Sequence, residues 1–506
     1  MDAIRLQNVR SITDTGWVPL RPLTIVVGRN SIGKSSLLRW LPLLSQSQNA
    51  AGSTPILWTR RDRGLVDYGS FHETLRHGAE PQEIRFGWRD SVEANALQVP
   101  DFFGLLRDEN FAAESFEAES VLSSYERATY VTGLRVQIGE VNAHLTCDPG
   151  GAVTNFTING VPAHILAPGW KWAVLQSEIV PLLQARSSTS ASTTPGHEQR
   201  LEGLKTLKTR KMDDWRLRRL SESGKGWTTQ ALRKSLAEQE AGTATWHSDL
   251  QKLANEDPRL VELLPRYAIR EMDSLVRVIG QLLQAQLTSL VYVAPFRAEP
   301  RRAERSPEPS TALDARGDAL LSFMEGLGSE ERQSLNDWLQ EALDFKLVLS
   351  RDGLYSELRV DQGGGHHDNL ADVGFGIGQV LPVAVHLWKT EQQDFEKILY
   401  SNGEIVVMEQ PELHLHPAHQ ASVGRMLARH AARTKNSGGR LLVETHSEAL
   451  INAVGEELGA GRLSSSDVSV VVFERSQPGG PVEVRVVDFD EKGYLKPPWP
   501  FGFFAA

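Results

Sequence analysis

Residues Gly28-Arg29-Asn30-Ser31-Ile32-Gly33-Lys34-Ser35 match the pattern G-x-x-x-x-G-K-[ST]. The spacing suits phosphate. Glycines let the backbone wrap so that successive N–H groups point at phosphate oxygens, and a helix starting just after the loop turns its positive end toward the anion. Arg29, Asn30, Ser31, Ile32, Gly33, Lys34, Ser35 and Ser36 are therefore the candidate ATP contacts. Lys34 is expected to reach the β and γ phosphates, and the Ser35 hydroxyl to ligate Mg²⁺.

Three later stretches carry groups that could work with such a loop. Ile405-Val406-Val407-Met408 is an apolar run ending in Glu409, and a carboxylate at a strand tip is the usual second partner of a phosphate loop; Glu409 is the candidate Mg²⁺ ligand. His414 and His416, just beyond it, alternate as metal ligands can, but no third ligand is evident and a structural role is the simpler reading. Leu441-Leu442-Val443-Glu444-Thr445-His446-Ser447 is another apolar run with a polar end, where His446 could contact a γ-phosphate or an attacking water. Between residues 372 and 382, Gly374, Gly376 and Gly378 alternate ahead of an apolar helix, a backbone surface able to approach an anion, followed by Gln379.

The elements that must hold these groups can be read from periodicity. Leu23 to Val27 is an uninterrupted apolar run, as expected of a strand buried on both faces, and the helix after the loop should bend or end near Pro42. Short β-type segments between residues 83 and 166 suggest an antiparallel meander. Residues 171–288 read as mostly helical, with Met272, Val276, Ile279, Leu283 and Leu287 as one apolar stripe, while Pro265 and Gly280 argue against one long arm; the polar run 186–194 reads as a flexible loop. From Leu290 onward apolar strands alternate with helical segments, which implies an α/β sheet with a parallel component. The expected organisation is an ATPase lobe over 1–170 with the phosphate loop and the β meander, a mostly helical insert over 171–288, and a second ATPase lobe over 289–506.

Composition narrows the context. With 506 residues, 40% hydrophobic and 23% charged, the chain is neither disordered nor fibrous. A net charge of −10 excludes a molecule that wraps nucleic acid with its whole surface. A local contact stays open, because Lys205, Lys208, Arg210, Lys211, Arg216, Arg218 and Arg219 lie close together around Trp215; this stretch, 205–219, is either a DNA or partner surface or a solvated helix face. Arg297, Arg301, Arg302 and Arg305 form a second group that could contact phosphate or bridge lobes. The one cysteine, Cys147, permits no internal disulfide and suits a reducing cytosol. Neither a secretory leader nor an apolar run of membrane length is visible, so a cytoplasmic location without membrane partners is expected.

In order, the phosphate loop, the glycine-rich stretch, the Glu409 strand and the His446 strand resemble the head of ABC-type ATPases of the OLD-, RecF- and SMC-like branch. The text E-Q-P-E-x-H-L-H-P, E-T-H-S and the ending Trp499-Pro500-Phe501-Gly502-Phe503-Phe504 are most similar to stand-alone ATPases of this branch encoded in bacterial antiphage defence operons. The resemblance implies an α/β fold, an ABC-type P-loop head of mixed sheet plus antiparallel β subdomain, with a helical insert. It further implies a homodimer or higher homo-oligomer in which Gly376, Gly378 and Gln379 of one subunit face ATP on the other, and a separate effector, nuclease or toxin, under its control. Gln410 stands where that family places a catalytic Glu, and an amide cannot accept a proton from water. Hydrolysis is thus expected to be slow, with Glu412 or His446 as replacement bases. The alternatives are a RecF- or SMC-like ATPase of DNA repair or maintenance and, with less support, an OLD-type nuclease, whose candidate acids Asp488, Asp490 and Glu491 lie in a short strand-and-tail.

Overall fold

A computed structural model describes residues 1–48, 54–59, 64–92, 114–176, 178–187, 194–208, 212–305, 308–392, 403–477 and 480–496. The ending at 499–504, most of the polar run 186–194, and Arg210 and Lys211 lie outside them. The chain divides into two compact units, one of residues 1–8, 47–58 and 69–284, the other of residues 9–46, 59–68 and 285–506.

In the first unit an antiparallel sheet runs from Val161–Pro162 through Val153–Ile158, Val141–Cys147, Ala128–Ile138, Glu114–Tyr125 and Ile84–Val92 to Ala3–Val9. Alternation builds it: along Ala128–Ile138, Val131, Leu134, Val136 and Ile138 are buried while Tyr130, Thr132, Arg135 and Gln137 are partly or fully exposed. The meander is the one expected from residues 83–166. The stretch read as mostly helical opens instead with a hairpin, Trp170–Leu175 paired to Leu182–Ser187. Helices follow, the last being Pro258–Thr288, which runs through Pro265 and Gly280. Burial of Leu263, Leu264, Tyr267, Ala268, Ile269 and the whole predicted stripe outweighs the one backbone bond that proline removes.

The second unit is built on a seven-stranded sheet in the order Val291–Val293, Ile405–Glu409, Arg440–Glu444, Leu23–Gly28, Val468–Glu474, Glu483–Phe489, Leu495–Lys496. The first five strands are parallel, Glu483–Phe489 pairs antiparallel with the fifth, and Leu495–Lys496 pairs antiparallel with Glu483–Phe489. Leu23–Gly28 is buried at every position, as a strand with both faces covered must be. Helices Phe375–Glu391, Pro417–Thr434 and Glu448–Gly459 contribute Val383, Leu387, Val423, Leu427, Leu450 and Val454 to the core on this sheet. A smaller antiparallel sheet pairs Tyr355–Asp361 with Lys346–Asp352, Glu304–Arg305 and His367–Asn369. The architecture is the mixed α/β one expected. No helix among the described residues is long and apolar enough to cross a membrane.

Candidate nucleotide site

All parallel strands of the second unit point their C-terminal ends the same way, and the chemistry-bearing residues sit at those ends. The phosphate loop leaves the central strand at Gly28 and enters the helix Lys34–Leu38. Gly33 caps that helix with φ 116°, a conformation other residues rarely adopt, and a Cβ there would lie 2.7 Å from Ser11 Oγ. Arg29, Asn30 and Ser31 are exposed, whereas Ile32, Lys34 and Ser36 are buried. The helix breaks at Arg39 and a second one, Trp40–Gln48, begins beyond it, so Pro42 falls in a first helical turn, where it is tolerated.

Lys34 Nζ donates to the carbonyls of Gly28 and Arg29, both at 2.9 Å, and lies 3.6 Å from Glu444 Oε1. Burial lowers the pKa of this ammonium, opposed by the charge of Glu444. Ser35 Oγ donates to Glu444 Oε2 at 2.7 Å. Burial raises the Glu444 carboxyl, against the pull of Ser35 and Lys34. Glu444 ends the strand next to the phosphate-loop strand, and in the ladder it stands beside Glu409.

Glu409 is held differently. Arg39 grips it with both prongs of its guanidinium, Nε to Oε1 at 2.7 Å and Nη2 to Oε2 at 2.8 Å, and Tyr292 OH donates to Oε1 at 2.6 Å. The pairing raises the Arg39 pKa, and burial beside Glu409 raises that of Tyr292. The backbone just past Glu409 is pinned as well: Gln410 N–H donates to Glu444 O at 2.8 Å, and Arg297 Nη2 donates to the carbonyls of Glu409 and Gln410 at 3.1 and 3.2 Å. Gln410 takes φ 44° in this turn. Arg297 is buried, which pushes its pKa down to about 10, and it stays charged at neutral pH.

Glu412 and His446 meet on the same side. Glu412 Oε1 accepts the His446 backbone N–H at 2.8 Å, while Glu412 Oε2 and His446 Nε2 are buried without hydrogen-bond partners among the described residues. Burial raises the Glu412 pKa and, with the nearby Lys34 charge, lowers that of His446 to about 4, so the imidazole is neutral. His416 caps the helix Pro417–Thr434 through Nδ1, the structural role expected of it.

The glycine-rich stretch forms the first turns of the helix Phe375–Glu391, so Gly376 and Gly378 are helical rather than looped. Close packing explains them: a Cβ on Gly378 would lie 2.6 Å from Pro300 Cγ, and one on Gly376 3.0 Å from Leu415 Cδ2. Gln379 is buried with Nε2 unpartnered among the described residues, and it lines a cleft of about 610 Å³ together with Arg297, Leu413 and His414. Sequence reasoning named Glu409, Gln410, Glu412 and His446 but passed over Glu444, Arg39 and Tyr292; the acidic end of the run Leu441–Val443 was the one available signal, for Glu444.

Of the basic groups, Arg301 pairs with Glu304 and Arg302 with Asp372. In the first unit Lys208 pairs with Asp214, Arg216 donates to Ala241 O at 3.0 Å, and Arg218, Arg219 and Trp215 are exposed. Asp488 accepts from Arg21, and Asp490 accepts the backbone N–H groups of Lys492 and Tyr494.

Residues 313–451 match the family profile described as an AAA ATPase domain. The match covers about a quarter of the chain and spans Gly376, Gly378, Gln379, Glu409, Gln410, Glu412, Glu444 and His446. Comparison with curated proteins gives no match. Among solved structures, the chain is similar to an SMC head bound to the C-winged helix domain of ScpA (9% identity, TM-score 0.37, covering 97% of this chain and 98% of that one). It is likewise similar to an SMC head domain from Thermotoga maritima (9%, 0.32, 97% and 98%) and to one with an extended coiled coil, bound to the C-terminal domain of ScpA, derived from Pyrococcus furiosus (9%, 0.36, 96% and 96%).

Proposed function

We propose that this protein is an ATP-binding, slowly hydrolysing ATPase that dimerises around nucleotide and acts as a switch on a partner effector in bacterial antiphage defence. The observation that carries the nucleotide part is the phosphate loop itself, seated between a fully buried parallel strand and a helix, with two carboxylates at the tips of the next two strands. Ser35 and Glu444 offer hard oxygen donors in hydrogen-bond contact, a set that fits Mg²⁺. When bound, that ion would neutralise charge on the β and γ phosphates. Lys34 trades its two loop carbonyls for phosphate oxygens, and Arg29, Asn30 and Ser31 are exposed where the anion would approach.

Water activation falls to what surrounds Gln410. Its amide cannot take a proton, so Glu412 or the neutral His446, each with an unpartnered atom, is left to do so at reduced efficiency. A slow step favours a long-lived nucleotide-bound state, which suits a switch better than a motor. Gly376, Gly378 and Gln379 would complete the site of a second copy, and the defence role rests on the resemblance of E-Q-P-E-x-H-L-H-P and E-T-H-S. The test is calorimetry of ATP with Mg²⁺: Lys34→Ala should abolish binding that the wild type shows, and equal affinity in the two proteins would remove the nucleotide reading.

A further inference from the structure

If the phosphate loop takes nucleotide, the divalent cation must sit beside the Ser35 hydroxyl, and the question is which carboxylate shares it. Two stand at adjacent strand tips, Glu409 and Glu444. Neighbouring strands lie about 4.8 Å apart, and Glu444 is on the strand that pairs directly with the phosphate-loop strand, while Glu409 is one strand farther out.

Their partners differ more than their positions. Glu444 Oε2 receives the Ser35 hydroxyl, and its nearest cation among the described residues is Lys34, 3.6 Å from Oε1, with the Arg39 charge acting on it more weakly. A serine that donates its proton to a carboxylate keeps its own lone pairs for a cation, so the two side chains can serve one ion together. Lys34 is the residue that arriving phosphates would draw away, which would leave the Glu444 carboxylate without its nearest cation and available. Glu409 has no such freedom. Its charge is matched by a bidentate guanidinium, and Tyr292 adds a third donor.

We propose that Glu444 is the carboxylate that joins Ser35 in holding the cation of the bound nucleotide, and that Arg39 and Tyr292 keep Glu409 out of that shell as a positioning residue at the foot of the phosphate-loop helix. The inference rests on the nucleotide reading above and can fail separately from it. Removing even an outer partner of a metal ligand costs about 10- to 100-fold in metal affinity, so loss of the ligand itself should cost at least 10-fold.

Calorimetry of ATP binding with and without Mg²⁺, on the full-length protein and on Glu444→Gln and Glu409→Gln, separates the possibilities. The expected result is that Mg²⁺ tightens binding in the wild type and in Glu409→Gln, and that Glu444→Gln loses at least 10-fold of this gain while keeping its metal-free affinity. Retention of the gain in Glu444→Gln with its loss in Glu409→Gln overturns the assignment. A wild type that binds ATP equally with and without Mg²⁺ overturns it too and leaves the nucleotide reading intact, whereas a wild type that binds no ATP ends both. Should Glu444→Gln lose metal-free binding as well, Glu444→Asp is measured by Mn²⁺ electron paramagnetic resonance on the ATP complex: weaker Mn²⁺ binding supports the proposal and an unchanged spectrum and affinity refute it.

Discussion

Replacing Arg39 by Met should destabilise the second unit through one contact. Arg39 sits at the C-terminus of the phosphate-loop helix and makes both of its side-chain bonds to Glu409, whose side chain is 3% exposed. Removing one member of a buried ion pair costs about 3–5 kcal/mol, because the carboxylate left behind is desolvated and unpaired. Two features reduce that figure here. The Arg39 side chain is 32% exposed, so water can partly replace it, and Tyr292 still donates to Oε1. A loss of about 2–3 kcal/mol follows, several degrees in the midpoint of thermal unfolding.

The decisive assay is a double-mutant cycle with Glu409→Gln. Met retains the stem of the arginine, so packing changes little, and the neutral amide removes the charge that the deletion strands. Arg39→Met/Glu409→Gln should therefore be at least as stable as Arg39→Met alone, with a coupling energy above about 1 kcal/mol. Additive single effects, or an Arg39→Met cost below about 0.5 kcal/mol, would show that the pair contributes nothing to holding the helix, and the positioning role of Arg39 would fall with it.

Two further outcomes are expected. Steady-state ATP turnover should rise on Gln410→Glu, by part of the 10²- to 10⁴-fold that a positioned base contributes; brisk wild-type hydrolysis that Glu412→Gln or His446→Ala abolishes would show instead that the base had moved. His386 is buried, Nε2 bonded to the Asp314 carbonyl at 3.1 Å, with its pKa pushed down to about 4 by burial. Between pH 6.5 and 4 the unfolded chain takes up a proton there that the folded chain refuses, so stability should fall as pH drops through that window, by about 3 kcal/mol in all; denaturation midpoints of His386→Gln should change less steeply over pH 6.5–4 than those of the wild type, and parallel profiles would refute the argument.

What could be read in advance depended on how far apart the cooperating atoms lie along the chain. The phosphate loop was legible because wrapping a phosphate fixes residue types within eight consecutive positions, and the buried strand before it because both faces are covered. Glu409 and His446 were legible as polar ends of apolar runs, a pattern again local. Glu444 and Arg39 were not, because their meaning lies in partners 409 and 370 residues distant, Ser35 and Glu409, and no periodicity encodes which of two strand-tip carboxylates a serine will meet. That choice is made by strand order. Placing Arg440–Glu444 between the other two strands sets Glu444 against the loop and Glu409 one strand away, within reach of the residue at which the loop helix breaks. The glycines at 376 and 378 mislead for the related reason that their local preference is for a turn, while the contacts with Leu415 and Pro300 that require them to be small come from elsewhere in the chain. Helix Pro258–Thr288 repeats the lesson at Pro265, where a local helix breaker is overruled by a face of buried side chains. In each case the tertiary partner outweighs a preference worth only one to three kcal/mol, so the residues that assign roles within the site are the ones whose neighbours are set by topology.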